Sequence, residues 1–150
     1  MKLQRADWNW FVLIIVGWAT LLGLVFAPPS LWFEVRSIHV DDSTVGTTPK
    51  MRVDRSIYRT VPMTAYVTVA KKWPSGFAIY CPIKERTQVY KQDAVLPDDL
   101  DLDWYTFGDE CAKKLPAGKY RLDITWVIHP PLFPDKLVRQ VSNTFEKTQP

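Results

Sequence analysis

Hydrophobic positions fall into two regimes along this chain. From Trp10 to Ala27 they run almost unbroken, WFVLIIVGWATLLGLVFA, eighteen residues without a charge. As a helix rising about 1.5 Å per residue, this run covers about 27 Å, close to the ~30 Å hydrocarbon thickness of a bilayer. It is apolar around its whole circumference, whereas the core helix of a small domain keeps a polar face. Pro28 and Pro29 end it, because proline lacks an N–H donor and disfavours helix in the residue before it. Trp8 and Trp10 at one end, and Trp32 with Phe33 at the other, are placed as an interfacial aromatic belt would be. The pattern predicts a tail over residues 1–9, a transmembrane helix over 10–29 and one domain over 30–150.

Beyond Ser30 the period shortens to two. In Tyr120–Ile128 the residues Tyr120, Leu122, Ile124, Trp126 and Ile128 alternate with Arg121, Asp123, Thr125 and Val127, as in a half-buried strand. Leu115-Pro116-Ala117-Gly118 supplies a turn before it, and Pro130-Pro131 ends it. Ala65–Trp73 is a second strand, with Ala65, Val67 and Val69 on one face and Tyr66 and Thr68 on the other. Arg86–Gln92 is a third, short and polar enough for an edge. Leu31–Val40 starts with Leu31, Phe33 and Val35 on one face, then shifts phase to Ile38 and Val40, which predicts a bulge. Phe77–Tyr80, Met51–Ile57 and Trp104–Phe107 are weaker strand patterns, and Asp41–Pro49 and Asp93–Asp103 read as loops. In Pro134–Lys147, Leu137, Val138, Val141 and Phe145 share a helical face, but Val138, Val141, Ser142, Asn143 and Thr144 are poor helix formers. A last strand paired with Tyr120–Ile128 is therefore favoured over an amphipathic helix.

Short strands punctuated by proline and glycine predict a mainly β domain, a two-sheet antiparallel β-sandwich. The stretch LPAGKYRLDITW from Leu115 to Trp126 resembles the turn-then-strand found late in immunoglobulin-like sandwiches. That resemblance implies an immunoglobulin-like domain.

Charge adds orientation. The net charge is +3 and its carriers are scattered among acidic residues. This is an ordinary solvated surface, not the basic stripe of a nucleic-acid binder. Lys2, Arg5 and the free amine precede the apolar run, while Arg36 is the single Lys or Arg in the twenty residues after Pro29. The positive-inside bias puts the N-terminus in the cytoplasm and the domain in the periplasm or outside the cell. A cleaved signal peptide is the rival reading, with Val25-Phe26-Ala27 as the cleavage site. Pro28 after that site, Asp7 before the run, and the length of the run favour a retained anchor. Cys81 and Cys111 lack CxxC spacing. In an oxidising compartment they read as one disulfide; two independent buried thiols are the other reading.

The usual signatures of catalysis are missing: no nucleophile elbow, zinc-protease helix, P-loop or dinucleotide fingerprint is present. His39 and His129 stand at strand ends. Asp99, Asp101 and Asp103 alternate, and Glu110 follows Asp99 by eleven residues. This is the ligand spacing of an EF-hand calcium loop, but with Trp104 where the loop needs glycine and no helix pattern beside it. The expected function is a membrane-anchored, non-enzymatic extracytoplasmic interaction or structural module. Its expected partners are the lipid bilayer and a protein or a second copy of the chain, with no cofactor and no nucleic acid. The layout of basic tail, single span and outer domain also resembles some single-span phage holins, which implies membrane permeabilisation. Gly17, Ala19, Thr20 and Gly23 would then let spans approach. A small accessory subunit of a membrane or virion-membrane complex is a variant of that alternative, and an enzyme is a third class.

Overall fold

A computed structural model describes residues 5–150, with side chains from Trp8 onward. Lys2 and the side chain of Arg5, used for the orientation, and the side chain of Asp7, used against cleavage, lie outside the described residues. Helix α1 (Arg5–Phe26) begins ahead of the apolar run and stops at Phe26, short of residue 29. Pro28 is extended, with φ −71° and ψ 148°. Pro29 opens a 3-10 turn (Pro29–Leu31), where a missing N–H loses no hydrogen bond. The stretch Trp8–Phe26 has a mean hydropathy of 2.1, and none of it is buried against the domain. Among the described residues it is the one helix long and apolar enough to cross a membrane.

Two residues assigned to the aromatic belt belong elsewhere. Trp32 is 3 % exposed and Phe33 0 %. The 3-10 turn redirects the chain so that Phe33 begins strand β1 (Phe33–Val40) and enters the core, its ring 5.3 Å from that of Trp126. Trp32 packs edge-on against Phe133 at 4.8 Å. Trp8 and Trp10 remain exposed on α1.

The domain is mainly β. Its strands are β1, β2 (Ser43–Thr44), β3 (Met51–Ile57), β4 (Val61–Trp73), β5 (Gly76–Ile79), β6 (Lys84–Tyr90), β7 (Gly118–Ile128), β8 (Lys136–Val141) and β9 (Phe145–Thr148). β1 and β3 pair antiparallel as a small sheet, with the expected bulge between Val35 and Ser37. The other seven strands form one sheet built on two long antiparallel strands, β4 and β7. Each long strand is flanked by two short ones in succession. β6 and then β5 run along β4; β8 and then β9 run along β7. β2 adds to β9 in parallel, so the sheet is mixed. Lys147 explains that addition. Its buried ammonium donates to Ser43 Oγ (2.9 Å), the Thr44 carbonyl (2.7 Å) and the Thr47 carbonyl, holding the β2 turn to β9. Burial lowers its pKa below the ordinary lysine value.

The small sheet lies over the large one. Phe33, Ile38, Val40, Met51 and Ile57 from the first share one core with Val61, Met63, Val67, Leu122, Ile124 and Trp126 from the second. Alternation in β4 and β7 places every even residue of β7 from Tyr120 to Ile128 inside. Residues 136–141 and 145–148 are strand rather than helix, as favoured, in two pieces that both pair with β7.

One element differs from its expected type. Trp104–Phe107 is not strand. Helix α2 (Leu102–Tyr105) starts there because the Asp101 side chain accepts from the Trp104 N–H at 2.8 Å, capping a turn that buries Leu102 and Tyr105. A second short helix, α3 (Glu110–Lys113), is capped by Asp109 in the same way. Immunoglobulin-type domains divide their strands more evenly between two sheets. Here the sheets have two and seven strands.

Candidate docking cleft beside β3

β3 has one paired edge and one open edge. Toward β1, the Lys50 carbonyl accepts from Asp41 N and Tyr58 N donates to the Trp32 carbonyl. Even-numbered residues of β3 therefore turn their main-chain groups to β1. Odd-numbered residues turn theirs outward, since strand polar groups alternate sides. At the two ends these outward groups are occupied: Met51 N donates to the Leu100 carbonyl (2.9 Å), and the Ile57 carbonyl accepts from Asp93 N (3.2 Å). Between them the segment Asp93–Leu100 bows away from the strand. The N–H and C=O of Val53 and Arg55 have no backbone partner on that side among the described residues.

The gap is a cleft of about 560 Å³ between β3 and the bowed segment. One wall is the β3 main chain; the other is Ala94, Val95, Leu96 and Pro97, with Asp93 and Asp98 at its ends. Beneath it the half-buried Arg55 guanidinium lies 5.3 Å above the Tyr90 ring, and its Nε has no hydrogen-bond partner. Tyr105 is buried close by. Burial raises its pKa to about 12, against the opposing pull of the Arg55 charge. The cleft thus combines a free main-chain ladder, an apolar wall and an unsatisfied guanidinium donor. These features suit an extended polypeptide, which carries carbonyl and amide groups at strand spacing.

The residues singled out for calcium are not gathered. Asp101 caps α2, Asp103 pairs with Lys113 at 3.6 Å, Glu110 pairs with Lys114 at 3.0 Å, and Asp99 is exposed. Helix α2 and the turn into α3 separate what the sequence spacing brought together on paper. Cys81 and Cys111 form a disulfide, with Cα atoms 5.7 Å apart. It ties the β5–β6 connection to α3. Asp109 lies near both sulfurs, and these three residues are the one cluster of metal-ligating side chains among the described residues. Disulfide sulfurs are not thiolate ligands, and Asp109 already pairs with Lys84 at 3.2 Å.

One arrangement was not foreseen. Thr64 Oγ1 lies 3.0 Å from His129 Nε2, and His129 Nδ1 lies 2.9 Å from Asp135 Oδ1. The order is that of a hydroxyl–imidazole–carboxylate relay. Thr64, however, is buried between β6 and β7, and its hydroxyl also meets Thr87 Oγ1 at 2.9 Å. Both ladders occupy the surrounding N–H groups, leaving no donors to stabilise an oxyanion at Thr64. The relay instead fastens the segment after β7 to the sheet. Separation of 65 residues between Thr64 and His129 hid the contact from the sequence; only the β4–β7 register brings them together. His39 Nε2 makes a similar but exposed pair with Asp41 at 3.2 Å.

Comparison of the chain with protein-family models, with curated proteins and with solved structures finds no match.

Proposed function

We propose that this chain is a membrane-anchored, non-enzymatic interaction module. α1 crosses the bilayer with its N-terminus in the cytoplasm. The β domain stands in the periplasm or outside the cell, and the open edge of β3 takes up an extended segment of a partner protein. The anchor is supported by a predominantly apolar helical stretch of nineteen residues, none buried in the domain. A disulfide suits an oxidising compartment. An immunoglobulin-like reading of the domain is supported by the Tyr120 hydroxyl, which donates to the Pro116 carbonyl at 2.8 Å. The tyrosine corner of such sandwiches makes the same kind of bond.

The docking reading is carried by one observation: the outward N–H and C=O groups of Val53 and Arg55 open onto the cleft. Edge strands of this kind are normally covered or blunted. A random heptapeptide library panned against the full chain in lipid vesicles tests it. Enriched peptides are expected to protect the Val53 and Arg55 amides from hydrogen exchange. They are expected to lose binding to Val53→Pro, which removes one outward donor and leaves the β1–β3 ladder intact. Enriched peptides that bind Val53→Pro as tightly as the parent, or a failure to enrich any, would overturn it.

A further inference from the structure

The segment Pro130–Pro134, between β7 and β8, presents a leucine that the domain itself does not use. Leu132 is 96 % exposed, the most exposed large apolar side chain among the described residues. Its φ is +68°, a left-handed conformation that non-glycine residues adopt at a steric cost. The loop around it is firmly built. His129 N donates to the Pro62 carbonyl at 2.9 Å, and the His129–Asp135 pair closes the base. Phe133 N donates to the Pro130 carbonyl at 3.3 Å, and the Phe133 ring packs on Trp32. An apolar tip is thus held outward on a strained backbone by a rigid frame.

The position of this loop says what the tip meets. Lys136, first residue of β8, donates from Nζ to the Val25 carbonyl in the last turn of α1. The ammonium there complements the negative end of the helix dipole. The loop therefore sits where the apolar helix ends, beside the exposed Leu31 and Leu137. In water, Leu132 has a backbone cost and an exposed side chain with no return. At the boundary between headgroups and acyl chains, transfer of the side chain out of water supplies the return.

We infer that Pro130–Pro134 is a second membrane contact, with Leu132 seated in the leaflet from which α1 emerges and Lys136 at headgroup level. The domain is then held at two points in a fixed orientation rather than swinging on the 3-10 turn. This inference rests on the reading of α1 as a retained span.

The test uses the full chain, disulfide intact, reconstituted in phosphatidylcholine vesicles. An environment-sensitive fluorophore is placed on one of three introduced thiols: Leu132→Cys, Val16→Cys within α1, or Ser75→Cys. Ser75 lies in the β4–β5 hairpin, about 33 Å farther along β4 than the Met63–Ile128 pair, at roughly 3.3 Å per strand residue. With lipids carrying a shallow spin label, the fluorophore at position 132 is expected to be quenched several-fold more than at 75. Equal quenching at 132 and 75 by the shallow label, with strong quenching at 16 by a lipid labelled deep in its acyl chain, would overturn the loop contact and leave the anchor standing. No quenching at 16 would overturn both. A fluorophore at 132 that is shielded from aqueous iodide yet not quenched by lipid would mean that protein, such as a second copy, covers Leu132, and would also overturn the inference.

Discussion

Asn143 joins the two sheets with one side chain. Its Oδ1 accepts from Val40 N at 2.7 Å and its Nδ2 donates to the Val40 carbonyl at 2.9 Å. The carboxamide stands in for a strand residue where β8 and β9 are interrupted. Next to it, Ser142 Oγ accepts from Leu122 N at 2.8 Å and keeps β7 satisfied across the same gap. Asn143→Ala leaves the Val40 N–H and C=O without partners beside the core. It is expected to lower unfolding free energy by about 2–3 kcal/mol, read by denaturant titration. Asn143→Asp keeps only the acceptor and is expected to recover part of the loss. Two tyrosines set the alkaline limit. Burial raises the pKa of Tyr105 and of Tyr120 to about 12, from an ordinary value of 10.0. The folded state holds these protons more tightly than the unfolded chain does. Their contribution is therefore whole below pH 10 and is lost as pH rises toward 12. Circular dichroism is expected to show alkaline unfolding setting in above pH 10. Tyr105→Phe, which deletes a hydroxyl without a hydrogen-bond partner, is expected to push that onset higher. These residue-scale features were not legible in advance, because Asn143 and Val40 stand 103 positions apart and meet only through the register of the sheets.

Elements with a strong period were legible. Tyr120–Ile128 and Ala65–Trp73 lie within β7 and β4, the phase shift in Leu31–Val40 is the bulge in β1, and even the weaker pattern of Met51–Ile57 coincides with β3. Alternation survives folding because each of these strands has one face on the core. The segment 102–113 was illegible for the opposite reason. Its helices have four residues each, too few for any period to declare itself, and side-chain caps decide them. The disulfide holds this region to the sheet across 30 residues. The double variant Cys81→Ser, Cys111→Ser is expected to remain folded but to lose about 3–4 kcal/mol by the loop-closure argument. Equal stability of the parent with and without reductant would mean that the two thiols are not linked. The calcium spacing shows the reverse error. A pattern of Asp99, Asp101, Asp103 and Glu110 is meaningful only if one loop carries it, and here caps and lysine pairs take up three of the four carboxylates.

At the scale of the whole molecule, the exposed apolar helix beside a well-packed β domain has one physical consequence. Transfer of the helix side chains out of water is favourable, and the proposed anchor rests on it. The full chain is expected to stay with the membrane pellet after alkaline carbonate extraction, with residues 1–29 still attached. A fragment of residues 30–150 is expected in the supernatant. Recovery of the full-length chain, N-terminus intact, in the supernatant would end the anchor reading.

The sequence by itself determined the apolar helix, the β character of the rest and the strands whose faces differ. Each of these follows from local period or from composition, which act on neighbours in the chain. Tertiary structure alone decided the division into two and seven strands, the burial of Trp32 and Phe33, the Thr64–His129–Asp135 relay and the open edge of β3. Those depend on which strands pair and where the partners run out. Pairing is a property of residues far apart in sequence, and no local pattern encodes an edge that nothing covers.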